Sequence, residues 1–234
     1  MTFAEKKWGD CSKAVAYNLN FVQMCYLSGS KGHSDFFTSS CKKCEEYDIQ
    51  IKDLEYPKSS FSKKDYFELQ IGGYGVSQKL RDDMIAFGVS EDNFRPIYTA
   101  KHKDVLGYQI CPVNKLPPIY HYNCQQAVPV CDECGFEIYE YTDDSYSNEV
   151  YKHLGYPKYL TKDELKSVGH LSGTYEWNDP IISLELYNYL LKKYPRIECR
   201  PVFLGTVYED KEYIRTHSPG FVSDRDSYLD EVNI

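Results

Sequence analysis

Two Cys-x-x-Cys pairs, Cys41-Lys42-Lys43-Cys44 and Cys131-Asp132-Glu133-Cys134-Gly135, constrain this chain more than any other feature. A two-residue spacer lets both sulfurs of a pair face one ion, and four thiolates make a tetrahedral zinc site with sulfur about 2.3 Å from the metal. The glycine after Cys134 relieves the backbone where it turns, so that amides can point at sulfur. Glu45 stands at the matching place after Cys44.

Each pair opens a stretch that repeats the other with variation. Leu54-Glu55-Tyr56-Pro57-Lys58 matches Leu154-Gly155-Tyr156-Pro157-Lys158, and Ser62-Lys63-Lys64-Asp65 matches Thr161-Lys162-Asp163-Glu164. Ile71-Gly72-Gly73 then aligns with Leu171-Ser172-Gly173, and Val76-Ser77 with Ile182-Ser183. Ser77 and Ser183 are helix N-caps, since each hydroxyl can accept from an orphan backbone N–H. Leu80, Met84 and Ile85 correspond to Leu186, Leu190 and Leu191, the spacing of one buried face. Gly88 and Pro195 stop the two helices. Arg95-Pro96-Ile97 and Arg200-Pro201-Val202 then begin strands, with proline at the start or on an edge.

The expected fold is therefore α+β: two related knuckle–strand–helix–strand halves, joined by a four-cysteine zinc-ribbon-like site. Residues 1–234 form a single zinc-stapled domain, its halves covering about 25–110 and 125–215, with an irregular proline-rich crossover over about 112–129. Tyr56-Pro57 reads as a turn whose proline holds the preceding tyrosine extended. Gly72-Gly73-Tyr74-Gly75 reads as a turn before the Ser77 cap. The second half carries two insertions, Glu140 to Tyr151 and Thr174 to Pro180, the first an acidic, tyrosine-bearing loop or hairpin.

Other chemistry is poorly served. A thioredoxin-like pair needs a helix starting at its first cysteine, whereas Phe136-Glu137-Ile138-Tyr139 alternates as a strand does. A zinc deaminase needs His-x-Glu and Pro-Cys-x-x-Cys; no histidine supplies the first, and Val130 displaces Pro129 in the second. Phosphate-loop, nucleophile-elbow, His-Glu-x-x-His and dinucleotide motifs are missing. The six histidines fall in six unrelated contexts. Cys11, Cys25, Cys111, Cys124 and Cys199 stand singly and read as small buried apolar side chains. The variants of the four-cysteine set are a site that has lost its metal and one that uses other cysteines, such as Cys124.

The net charge of −8 argues against a partner held mainly through phosphates and permits a basic protein partner. No window approaches 18 apolar residues, so no membrane span is expected. The first twenty residues lack an apolar secretory core, which points to the cytoplasm.

The two cysteine pairs, Gly135, the Ser77 and Ser183 helices and the two Arg-Pro steps together resemble the double-CxxCG-motif immunity proteins of bacterial polymorphic toxin systems. The resemblance covers about residues 25 to 208 and leaves both termini unexplained. It implies a non-enzymatic protein that binds and neutralises one cognate toxin domain, with one structural Zn²⁺ on Cys41, Cys44, Cys131 and Cys134. Steric occlusion is the expected mechanism. Tyrosine occupies 23 of 234 positions, and tyrosine is enriched at interfaces. The expected toxin-facing residues are Tyr139, Tyr141, Asp143, Asp144 and Tyr146. The alternative function is a zinc-ribbon module of a nucleic-acid machine, in which Lys42-Lys43 would meet a phosphate.

Overall fold

The computed structural model describes residues 2–19, 24–26, 32–39, 41–43, 48–61, 63–71, 73–99, 104–116, 124–127, 131–133, 138–141, 159–160, 162–173 and 179–204. The fold is mixed α+β, mostly sheet with few helices. The chain divides into two compact units. One comprises residues 1–20, 114–119 and 144–234; the other comprises residues 21–113 and 120–143. This division differs from halves of 25–110 and 125–215: the segment around the second cysteine pair joins the unit that holds the first.

In the unit of residues 1–20, 114–119 and 144–234, the central strand is β1 (Ala14–Leu19), whose nearly unbroken apolar run is buried. It pairs antiparallel with β14 (Pro180–Ser183) on one side and β15 (Cys199–Leu204) on the other. β13 (Leu171–Gly173) closes the β14 edge, and β12 (Tyr159–Leu160) runs parallel to the end of β15. Ala16, Leu160, Ile181 and Val202 pack with Leu116 and Val168 into the core. Asn18 is a buried polar residue of β1, and its Nδ2 donates to the Pro180 carbonyl at 3.2 Å. Helix α1 (Phe3–Trp8) precedes the sheet, capped by the reciprocal Thr2–Glu5 box. α3 (Lys162–Ser167) follows β12, and α4 (Leu184–Lys193) follows β14.

The other unit carries a six-stranded sheet. Its order is β2 (Met24–Cys25), β6 (Tyr66–Leu69), β7 (Tyr74–Val76), β9 (Val105–Ile110), β8 (Phe94–Thr99), β5 (Glu55–Tyr56). α2 (Gln78–Phe87) follows β7. Phe67, Leu69, Ile97, Tyr56, Cys25, Leu54 and Phe36 form the core on one side of this sheet. Two separate hairpin ribbons complete the unit: β3 (Phe37–Ser39) with β4 (Asp48–Gln50), and β10 (Cys124–Ala127) with β11 (Ile138–Tyr141).

The capped helices form as the sequence dictates. Ser77 Oγ accepts from Leu80 N and Ser183 Oγ from Leu186 N, each at 3.2 Å. Gly88, at φ 121°, ends α2. Leu80, Met84, Leu186 and Leu190 are buried, whereas Ile85 and Leu191 sit half-buried at the margin of the apolar face. Pro96 and Pro201 both fall ahead of the short parallel edge pairing at Tyr98–Thr99 and Phe203–Leu204. On that outer side no ladder partner is asked of the missing N–H.

Three expectations fail. Tyr74 and Gly75 lie within β7 rather than in a turn, and Gly73, at φ 81°, lies between β6 and β7. The match of Ile71-Gly72-Gly73 to Leu171-Ser172-Gly173 sets that connection against strand β13; glycine content alone carries no pairing information. Residues 112–129 are not irregular throughout. β10 is a ribbon strand, and the 114–116 backbone bonds to Gly173, with Leu116 N donating to Gly173 O at 2.9 Å. Residues 156–158, the second Tyr-Pro-Lys, lie outside the described set.

Candidate metal centre

Cys41 follows the short strand β3, and its backbone is fixed by Ser39. The Cys41 amide donates to Ser39 Oγ at 3.3 Å, while the same hydroxyl donates to the Cys41 carbonyl at 2.8 Å. Lys42 and Lys43 turn the chain. The second ribbon repeats the arrangement: Cys131 comes after β10, Asp132 and Glu133 form the turn, and β11 begins four residues past Cys134, as β4 does past Cys44. Cys41 and Cys131 are both buried, and their Sγ atoms lie 3.7 Å apart. A disulfide would require about 2.05 Å. Two thiolates sharing a tetrahedral zinc at about 2.3 Å each would be about 3.8 Å apart, the edge of that tetrahedron. The two placed cysteines therefore fit half of a four-sulfur set. Cys44 and Cys134 lie outside the described residues, and among the described residues no group of three or more His, Cys, Asp and Glu forms a metal cluster.

Beside the sulfurs, Lys43 Nζ donates to Asp132 Oδ1 at 2.6 Å, joining the two turns directly. That hydrogen bond holds the Lys43 ammonium above its usual pKa and the Asp132 carboxyl below the usual range. One of the two lysines expected to meet a phosphate is thus paired within the chain at its surface, while Lys42 is also exposed.

The first ribbon is tied to the six-stranded sheet of its own unit. Arg95 on β8 donates through Nε to Asp53 Oδ1 at 2.6 Å and through a terminal nitrogen to the Gln50 carbonyl at 3.3 Å, where β4 ends. Ile51 N donates to Phe36 O at 2.8 Å, and Phe36 is wholly buried in the core. Sequence alone gives Arg95 only as the opening of a strand and Lys43 only as a phosphate-facing lysine; it misses Asp53 and the pairing role of Asp132. The Arg95 contact depends on folding and left no local trace. The Lys43 contact did leave one: the spacer of one pair is Lys-Lys and that of the other Asp-Glu.

Of the expected partner-facing residues, Tyr139 and Tyr141 are positions of β11, opposite Gln126 and Cys124 in the ladder. Asp143, Asp144 and Tyr146 lie outside the described residues. Cys124, the alternative ligand, occupies the ladder pair most remote from the Cys131 turn. Cys11, Cys25 and Cys199 are buried and Cys111 is half-buried. Burial pushes the Cys11 thiol up to about 11 and raises that of Cys199 further. Both stay protonated near neutrality and act as apolar packing groups, as expected. Tyr56 is likewise structural: its buried hydroxyl donates to Ile71 O at 3.1 Å and accepts from Ile71 N at 3.3 Å.

Among the described residues, no helix is long and apolar enough to cross a membrane. The chain matches no protein-family model, no curated protein and no solved structure.

Proposed function

We propose that this chain is a cytoplasmic, non-enzymatic immunity protein that binds one cognate bacterial toxin domain and blocks it sterically. The observation that carries the reading is the facing of the two Cys-x-x-Cys turns, with Cys41 and Cys131 sulfurs 3.7 Å apart. It supports one structural Zn²⁺ held by Cys41, Cys44, Cys131 and Cys134. Such an ion has no open coordination position and activates no water; it fixes hairpins and leaves function to exposed surface. The −8 charge suits a basic toxin surface.

An internal duplication belongs to the same reading, and strand registers support it. Phe94, Arg95, Pro96 and Ile97 face Ile110, Gln109, Tyr108 and Gly107; Cys199, Arg200, Pro201 and Val202 face Leu19, Asn18, Tyr17 and Ala16. A register irregularity follows at the next step in both sheets. β1 then takes in one sheet the place β9 takes in the other, so the second copy is completed by the N-terminal strand. Tyr17 stacks on Tyr187 of the Ser183 helix at 3.6 Å, as Tyr108 lies under Arg81 of the Ser77 helix at 4.3 Å.

The toxin-facing surface is assigned to β11 and the chain after it: Tyr139, Tyr141, Asp143, Asp144 and Tyr146. Co-expression with toxin domains encoded beside this chain tests the function. Rescue of growth by one such pairing, with a stable complex on copurification, is the expected result. Failure of every pairing, together with salt-dependent nucleic-acid binding, would instead favour the zinc-ribbon alternative. Loss of rescue on replacing Tyr141, Asp143 and Asp144 by alanine tests the surface.

A further inference from the structure

Lys43 and Asp132 are 89 residues apart in sequence, yet they meet at 2.6 Å directly beside the two buried sulfurs. Each sits within a cysteine spacer, and the spacers are opposite in sign throughout: Lys42-Lys43 in one, Asp132-Glu133 in the other. Charge of this kind contributes little to fold stability when exposed, and both side chains are at least half exposed. It contributes more to the choice of partner, because like spacers brought together repel while unlike spacers attract.

A Cys-x-x-Cys turn supplies two of the four sulfurs that zinc requires, so a chain with two such turns faces a pairing problem. Two copies of the Cys41 turn on different molecules could close a site, as could two copies of the Cys131 turn. The first combination gathers four lysines, the second four carboxylates. Only the mixed pair is neutral across its spacers, and within one chain it also has the higher effective concentration.

We propose that Lys43 and Asp132 form an electrostatic latch that selects the Cys41 and Cys131 turns of a single chain as joint holders of one tetrathiolate ion. The inference rests on the structural-zinc reading and adds to it a pair of specificity-determining residues that touch no metal. The latch requires opposite signs at the two positions, whichever carries which. A simple field effect would behave differently. Four thiolates around Zn²⁺ leave a net negative centre, so added positive charge nearby would strengthen retention and added negative charge would weaken it.

Charge reversal in the full-length protein separates these cases. K43D sets two carboxylates against each other, D132K sets two ammonium groups against each other, and K43D/D132K restores attraction with unchanged net charge. Zinc transfer to a chromogenic chelator is followed at low and high salt, with oligomeric state recorded by light scattering and folding by circular dichroism. Both single reversals are expected to speed zinc release about two- to five-fold at low salt, the range of one exposed ion pair. The double reversal is expected to return most of that loss, and all three differences should shrink in 1 M salt, where the screening length is about 3 Å. Faster release for K43D with slower release for D132K would overturn the latch in favour of a field effect. Release unchanged in both single variants, or a double variant no better than the singles, would overturn it as well. Wild-type protein that holds no zinc would overturn the metal reading itself; wild-type protein that holds zinc indifferently to both reversals overturns the latch alone.

Discussion

A Cβ added at Gly75 would stand 2.3 Å from Phe67 Cε2, well inside contact distance. β7 passes so close to the aromatic ring of its neighbour β6 that only hydrogen fits there. Gly75→Ala is therefore expected to cost about 1–3 kcal/mol of stability, read as a lowered denaturant midpoint with an unchanged slope. At this scale the sequence was legible where chemistry is local. Cysteine spacing marked the turns, and the serine hydroxyls of Ser77 and Ser183 marked helix starts. Gly75 was misread, since a glycine needed for close approach looks the same in sequence as one needed for a turn. Arg95 was recognised as the opening of a strand, but not as the side chain that holds the β4 end through Asp53 and the Gln50 carbonyl. Cys11 and Tyr187 carry a pH consequence. Burial favours their neutral forms and lifts the thiol from 9.0 to about 11 and the phenol from 10.0 to about 12. The folded state thus keeps protons that the unfolded chain gives up. Stability from this source is fully present below about pH 9 and falls as pH rises through 11 and 12. Thermal melts from pH 8 to 11.5 should show a declining midpoint beginning near pH 9, and Cys11→Ala should make that decline shallower without abolishing it, because the Cys199 thiol, also raised by burial, shares the onset.

The helices α2 and α4 each depend on one cap hydroxyl, and the cap sits at the junction between an inner strand and the helix that follows it. Ser77→Ala and Ser183→Ala should each lower stability by about 1 kcal/mol, with Ser→Gly costing only a few tenths. Ser77 Oγ also donates to Asp65 Oδ1 at 2.8 Å, so its replacement should fall at the upper end. Alanine variants that melt at the wild-type midpoint would show that the hydroxyls do not carry these helix starts. The elements most legible in sequence were these two, because helix signals lie within a few residues of one another. Strand order was largely hidden. β13 is too short to show an alternating pattern, and glycine spacing matches Leu171 to Ile71, whereas the residue paired with Val76, as Leu171 is with Ile182, is Tyr66.

On the scale of the whole molecule, the largest surprise is the origin of β1. Residues 14–19 lie between β14 and β15, and Asn18 bonds a carbonyl 162 residues away. A strand supplied from so far off has no local signature beyond its apolar run, so the N-terminus stayed unexplained in sequence. Removing residues 1–20 takes out the centre of that five-stranded sheet. Amide protection across β14 and β15 should then be lost, while protection across β7, β8 and β9 should persist near full-length values. Retained protection in β14 and β15 would mean that β1 is dispensable to its sheet. The metal reading operates on the same scale: two ribbons far apart in sequence meet at Cys41 and Cys131, and the central claim is that one zinc ion holds them. Zinc X-ray absorption on the purified full-length protein measures this most directly. The account predicts one zinc per chain with a shell of four sulfurs at about 2.3 Å; metal-free protein, or a shell containing nitrogen or oxygen, would contradict it.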